Sequence, residues 1–216
     1  MDCDHTAFQS GRARYLPLTG QLQMVLVCDE CGADIEELER IDYRPRPRRL
    51  VDHLAELTAR ELGMSDEQVA RVHFAALICG AGRDRIDATI LEKRGPLSER
   101  EWAEVHREPE LAAALLADPA FRDIREWVLR HRERVDGHGY PSGLSGQSIP
   151  LEARILAVCE AYAAMIAERP YRRPRDHRAA CTELRRCAGT QFDPEVVAAF
   201  VRASGRRNER LDRAAA

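Results

Sequence analysis

Apolar side chains recur along most of this chain at the spacing of an amphipathic helix. Leu50, Leu54, Leu57 and Leu62 share roughly one face, and Gly63 behind them supplies a stop. Val69, Val72, His73, Ala76 and Leu77 predict a second helix reaching Ile78. Ser98 with Glu101 is a capping box opening a helix through Trp102 and Val105. Asp118-Pro119 starts another, through Phe121, Ile124, Trp127 and Val128 toward His131. After a glycine-rich loop, Pro150 leads a strongly apolar helix containing Ile155, Leu156, Val158, Cys159, Tyr162, Met165 and Ile166. Asp176 and Asp193-Pro194 open the last two. The expected fold is mainly α, an all-helical bundle.

Residues 1–43 follow a different pattern. Around Thr19-Gly20, the arms Arg14–Leu18 and Gln21–Val27 alternate, imperfectly, as paired strands of a hairpin do. Arg44-Pro45-Arg46-Pro47-Arg48 cannot continue as regular helix, because a residue before proline is pushed out of the α region. The expected organisation is a small module over 1–43, a linker over 44–48, a helical domain over 49–203 and an Arg-rich, frayed tail over 204–216.

Composition narrows the class. A chain of 216 residues that is 44% apolar can bury a full core. Its 33 basic and 36 acidic residues leave a net charge of −3, which argues against a general nucleic-acid binder. No apolar run approaches the ~18 residues of a membrane span, and the Met-Asp-Cys-Asp-His start lacks the order of a secretory signal. Seven cysteines, an odd number with two in a Cys-x-x-Cys, point to thiols and metal rather than a disulfide framework. A cytoplasmic protein with no membrane or nucleic-acid partner is expected.

Cys3-x-His5 and Cys28-x-x-Cys31-Gly32 flank the hairpin. Two short knuckles joined by a hairpin can bring four donors to one point, as a tetrahedral zinc ion requires. A 43-residue module has too little core to fold alone, which favours a metal staple. The expectation is a zinc-ribbon-like module with structural zinc on Cys3, His5, Cys28 and Cys31. The simpler alternative is a plain thiol pair.

A second group of motifs lies in the helical part. His131-Arg132-Glu133 precedes Asp136-Gly137-His138-Gly139-Tyr140-Pro141, and Ile149-Pro150-Leu151-Glu152-Ala153-Arg154-Ile155-Leu156 follows. Gly95-Pro96-Leu97-Ser98, Arg169-Pro170-Tyr171-Arg172 and Gly189-Thr190-Gln191-Phe192-Asp193-Pro194 complete an ordered set. Over about 49–203 the chain closely resembles the HD-GYP family of metal-dependent cyclic-dinucleotide phosphodiesterases. The resemblance implies an HD-GYP-type helical fold. It also implies two-metal chemistry, in which adjacent Fe or Mn ions share an attacking hydroxide.

The ligand positions depart from that pattern. Where the family has His-Asp-x-Gly-Lys, this chain has Cys79-Gly80-Ala81-Gly82-Arg83. The family's His-Pro histidine falls at Glu108, and its tandem histidines are His131 and Arg132. The aspartate on the next helix is Glu160, and a later one is Ala164. No binuclear Fe/Mn site and no catalytic residue is expected from this set. Arginine remains near the pocket at Arg83, Arg132, Arg134, Arg169, Arg172 and Arg173, and guanidinium forks bind phosphate in bidentate fashion. Arg83, Arg172 and the loop Gly137, Gly139, Tyr140 and Pro141 are the candidate ligand-binding residues. The favoured expectation is a catalytically degenerate HD-GYP domain that binds or regulates in cyclic-dinucleotide signalling. Its partners would be cyclic di-GMP or a signalling protein at the Gly-Tyr-Pro loop, with room for a homodimer. One alternative is a phosphohydrolase rebuilt around a single ion on Cys79, Glu108, His131 and Glu160. Another is a protein-interaction module without nucleotide.

Overall fold

The computed structural model describes residues 9–16, 21–28, 33–42, 49–168 and 173–215. Strands β1 (Gln9–Leu16), β2 (Gln21–Cys28) and β3 (Asp34–Asp42) form an antiparallel sheet in the order β1-β2-β3. The expected hairpin is present, with Tyr15 opposite Leu22, but its first arm begins at Gln9 rather than Arg14. The third strand is a departure. Ile35-Glu36-Glu37-Leu38-Glu39-Arg40 is built of good helix formers, yet it pairs along the open edge that β2 presents. Tertiary pairing overrides propensity there.

Nine helices follow among the described residues: α1 (Arg49–Glu61), α2 (Asp66–Arg83), α3 (Ala88–Leu91), α4 (Glu99–His106), α5 (Glu108–Ala113), α6 (Arg122–Arg130), α7 (Leu151–Ile166), α8 (His177–Arg186) and α9 (Pro194–Ala215). Their starts are set by caps. At α2 and α4, Ser65 with Gln68 and Ser98 with Glu101 form reciprocal capping boxes; at α8, Asp176 accepts from Ala179 N at 2.7 Å. Such a cap contributes about 1 kcal/mol. Asp118 caps a 3₁₀ turn, Pro119–Phe121, which leads into α6.

Helix α7 is the centre of the bundle. Ala153, Ile155, Leu156, Val158 and Cys159 are fully buried there, and α1, α2, α6, α8 and α9 all pack on it. Phe121, Ile124, Val128, Leu184 and Phe200 close the same core without solvent exposure. Each such large apolar side chain contributes roughly 1.5–3 kcal/mol through burial.

Two boundaries differ from the sequence reading. Helix α2 does not stop near Ile78 but runs to Arg83, so Cys79, Gly80, Ala81 and Gly82 form a buried helical turn. A Cβ on Gly82 would lie 2.3 Å from the Ala112 Cβ, so glycine is what lets α2 and α5 touch. The tail expected to fray continues as α9 to Ala215, where Arg202 and Arg206 both pair with Glu61 of α1.

Candidate functional site

The close approach of α2 and α5 decides which side chains meet. It places Cys79 of α2 and Glu108, the first residue of α5, against His131 at the end of α6 and Glu160 on α7. Cys79, Glu108 and His131 are 0%, 2% and 1% exposed, so this cluster lies in the bundle rather than on it. His131 Nδ1 donates to the Val128 carbonyl at 2.5 Å, which turns Nε2 toward the carboxylates. Nε2 lies 3.4 Å from Glu108 Oε2 and 3.7 Å from Glu160 Oε2, without hydrogen-bond alignment. Glu108 Oε1 is likewise buried without a hydrogen-bond partner.

Arg132 closes the cluster. Its Nη2 is 2.8 Å from Glu108 Oε2 and 2.7 Å from Glu160 Oε2, and its Nε donates to Glu108 at 2.9 Å. The electrostatics follow from this geometry. Burial alone would raise the Glu108 pKa, but His131 and Arg132 outweigh it and hold the carboxyl at about 2. Burial alone would lower that of His131, but Cys79 and the Glu108 and Glu160 carboxylates carry it well above the ordinary histidine value. Burial pushes the Cys79 thiol up. The geometry thus sets His131 and Arg132 against the carboxyl groups of Glu108 and Glu160, with the Cys79 thiol beside them.

The residue after Arg132 has a different task. Buried Glu133 accepts from Ser142 N at 2.7 Å and from Leu144 N at 3.0 Å, so one carboxylate holds the backbone on both sides of Gly143. Arg134 makes a bidentate pair with Asp136 at 2.9 and 2.6 Å. That pair holds the Asp136 carboxyl well below the usual carboxylate range. Asp136 N in turn donates to the Thr190 carbonyl at 2.9 Å, tying the loop to the Gly189–Phe192 turn. Gly139 passes so close to the end of α6 that a Cβ would fall 2.4 Å from Arg134 N.

A cavity of about 440 Å³ opens beside the cluster. Arg83, Arg132, Tyr140, Glu108 and Glu160 line it, together with Lys93, Trp102 and Ala164. Of the four loop residues expected at a ligand, Tyr140 alone lines this cavity; Gly137, Gly139 and Pro141 shape the loop behind it. Arg134, expected among the phosphate-side arginines, is engaged by Asp136 instead. Arg169 and Arg172 lie outside the described residues. So do Cys3, His5 and Cys31; Cys28 is buried at the end of β2, where its N–H donates to the Ala33 carbonyl at 3.0 Å. The sequence reading missed Glu133, whose signal was its place as third residue of His-x-Glu. It also missed Lys93 and Trp102, which no motif marked.

The residues can be tested against the two ions of the resemblance. They do not fit them: Gly80 offers no ligand atom, and a guanidinium already sits on both carboxylates. One ion is another matter. Cys79, His131 and Glu160 each offer a donor atom, all within 4.8 Å of one another. Thiolate, imidazole and carboxylate are zinc donors, and the buried Nε2 of His131 lacks a hydrogen-bond partner.

A helical bundle that gathers a thiol, a histidine and two carboxyl groups from four helices beside a glycine loop has the arrangement of an HD-type domain. The family model described as HD domain matches residues 21–196, and the chain belongs to that family, in its HD-GYP branch. It is 39% identical over 155 residues to "Cyclic di-GMP phosphodiesterase response regulator RpfG" of Xanthomonas campestris, covering 70% of this chain and 41% of that protein. It is 33% identical over 149 residues to "3'3'-cGAMP-specific phosphodiesterase 3" of Vibrio cholerae, covering 68% and 32%. The chain thus spans less than half the length of these relatives. In fold it is similar to Bd1817, an HDG"Y"P protein from Bdellovibrio bacteriovorus, with TM-score 0.58 and 17% identity over 70% of this chain and 49% of that one. No helix among the described residues is long and apolar enough to cross a membrane.

Proposed function

We propose that this HD-GYP domain binds a cyclic dinucleotide in the cavity beside Tyr140 and Arg83 without hydrolysing it. The observation that carries this reading is the Arg132 guanidinium bridging Glu108 and Glu160. In-line attack on a phosphodiester needs an activated hydroxide and counter-charge on both the entering and leaving oxygens. Arg132 can stabilise anionic charge but cannot generate hydroxide at neutral pH. General-base help from His131 would supply ~10²–10⁴-fold, short of the 10⁶ or more typical of enzymes. What remains is binding: Arg83 toward phosphate, and the loop held by Glu133 as the wall that carries Tyr140. A cytoplasmic signalling role, with partners drawn through the same loop, belongs to this reading. So does structural zinc on Cys3, His5, Cys28 and Cys31.

The names of the relatives favour a second reading, a metal-dependent phosphodiesterase. The cluster of Cys79, His131 and Glu160 is the observation on its side. An ion there would supply a Lewis acid and an activated water, and Arg132 would have to leave Glu160 to admit it.

Metal analysis of the purified chain, a cyclic di-GMP titration and a turnover assay with Mn, Fe or Zn on one sample separate the readings. Binding without turnover is expected, weakened about tenfold or more by Arg83→Ala, since a charged phosphate contact contributes about 1.5–3 kcal/mol. Robust metal-dependent hydrolysis, lost in His131→Ala, would establish the single-ion enzyme instead.

A further inference from the structure

The cavity rim carries a feature that neither the charge cluster nor the loop requires. Trp102 and His106 stand one helical turn apart on α4, hence on one face. Their ring centroids are 5.6 Å apart, and His106 in turn lies 4.3 Å from the Tyr140 ring at an interplanar angle of 32°. Three rings therefore form a continuous array from the glycine loop to α4. Trp102 ends that array, lines the same cavity as Arg83 and Lys93, and is nevertheless 50% exposed. An isolated exposed apolar residue is ordinary on a protein surface. An indole set into a cavity wall, supported by a second ring and sharing the cavity with the Arg83 guanidinium, is a surface for a planar, π-faced, anionic ligand.

The platform is also held in place. Glu101, the neighbour of Trp102, accepts from Ser98 N at 2.7 Å in the capping box and from Lys93 Nζ at 2.6 Å. The start of α4 is thereby tied to the segment before it. Little ordering is left for a ligand to impose.

We propose that Trp102 is the stacking platform for one purine base of the cyclic dinucleotide, with His106 and Tyr140 buttressing it from the loop side. This rests on the cyclic-dinucleotide reading of the cavity and adds the residue that grips the base. A purine matches the two-ring area of the indole, and the phosphates then face Arg83.

Trp127 is the chain's other tryptophan and packs against the core, so Trp127→Phe leaves Trp102 as the single reporter. Cyclic di-GMP titrated into that variant should quench its emission with the midpoint seen by calorimetry. Trp102→Ala should weaken binding about tenfold or more, the scale of one base–aromatic stack. Trp102→Phe should keep most of the affinity, whereas Trp102→Leu, apolar but without a π face, should bind as weakly as Trp102→Ala. Binding to Trp102→Ala or Trp102→Leu as tight as to the parent would overturn the platform while leaving the cavity reading intact. Absence of any binding heat with the parent chain would remove the cavity reading and the platform with it.

Discussion

His131-Arg132 and Glu133-Arg134 are consecutive pairs at one helix end, and they serve opposite purposes. Glu133 and Arg134 spend their charge on the loop: two backbone N–H groups on one carboxylate, and a bidentate pair to Asp136. His131 and Arg132 face the other way, into carboxylates that arrive from α5 and α7. There the donors of the resemblance have changed, and cationic side chains neutralise the anions. The comparison teaches that a loop and the site it borders can part ways. The loop needs backbone hydrogen bonds and close approach, while a metal site needs a full set of donors at one point.

The largest effect should come from breaking the metal-side half. Arg132→Ala leaves Glu108 and Glu160 without their guanidinium, and stripping one partner from a buried ion pair costs about 3–5 kcal/mol. Denaturant unfolding should show that loss, with the helical content of the folded state unchanged. The loop-side half should yield less. Gly139→Ala forces a Cβ against Arg134 N, and overpacking of this kind costs about 1–3 kcal/mol. Its sharper signature should be local, as faster amide exchange at Ser142 and Leu144. An effect of Gly139→Ala larger than that of Arg132→Ala would invert the comparison.

The third effect is read through pH. A carboxyl lowered from 4.5 to about 2 on folding contributes stability that is in place above pH 4.5 and lost as pH falls toward 2. His131 is shifted the opposite way, so its contribution is in place below 6.5 and lost as pH rises through its raised value. Glu108→Gln should flatten the acid limb of a stability–pH curve and leave the limb due to Asp136 in place. An unchanged acid limb would show that the Glu108 charge is not held by its neighbours.

Much of the helical bundle was legible because its signals are local. The capping box at Ser98 and the stop at Gly63 are short-range patterns. The third strand was illegible for the complementary reason: Glu36-Glu37-Leu38-Glu39 carries helix propensity, and the open edge of β2 decides otherwise. The extension of α2 through Cys79–Arg83 was missed because the apolar periodicity was followed only to Ile78, and Gly80 and Gly82 beyond it have low helix propensity. In the structure Gly82 is instead the contact point with α5.

The site divides in the same way. By itself the sequence determined the family, the glycine at position 80 and the residue types at the other ligand positions of the resemblance. These are matters of motif order and chemical identity, which need no coordinates. Only the tertiary structure decided what Arg132 does. Glu108, Arg132 and Glu160 are far apart in sequence and come from three segments. Whether a guanidinium faces a ligand or pairs with the carboxylates of Glu108 and Glu160 depends on distances of 2.8 and 2.7 Å set by helix packing. The same holds for Trp102, which in sequence is an apolar helix position and in the fold ends a ring array at a cavity mouth.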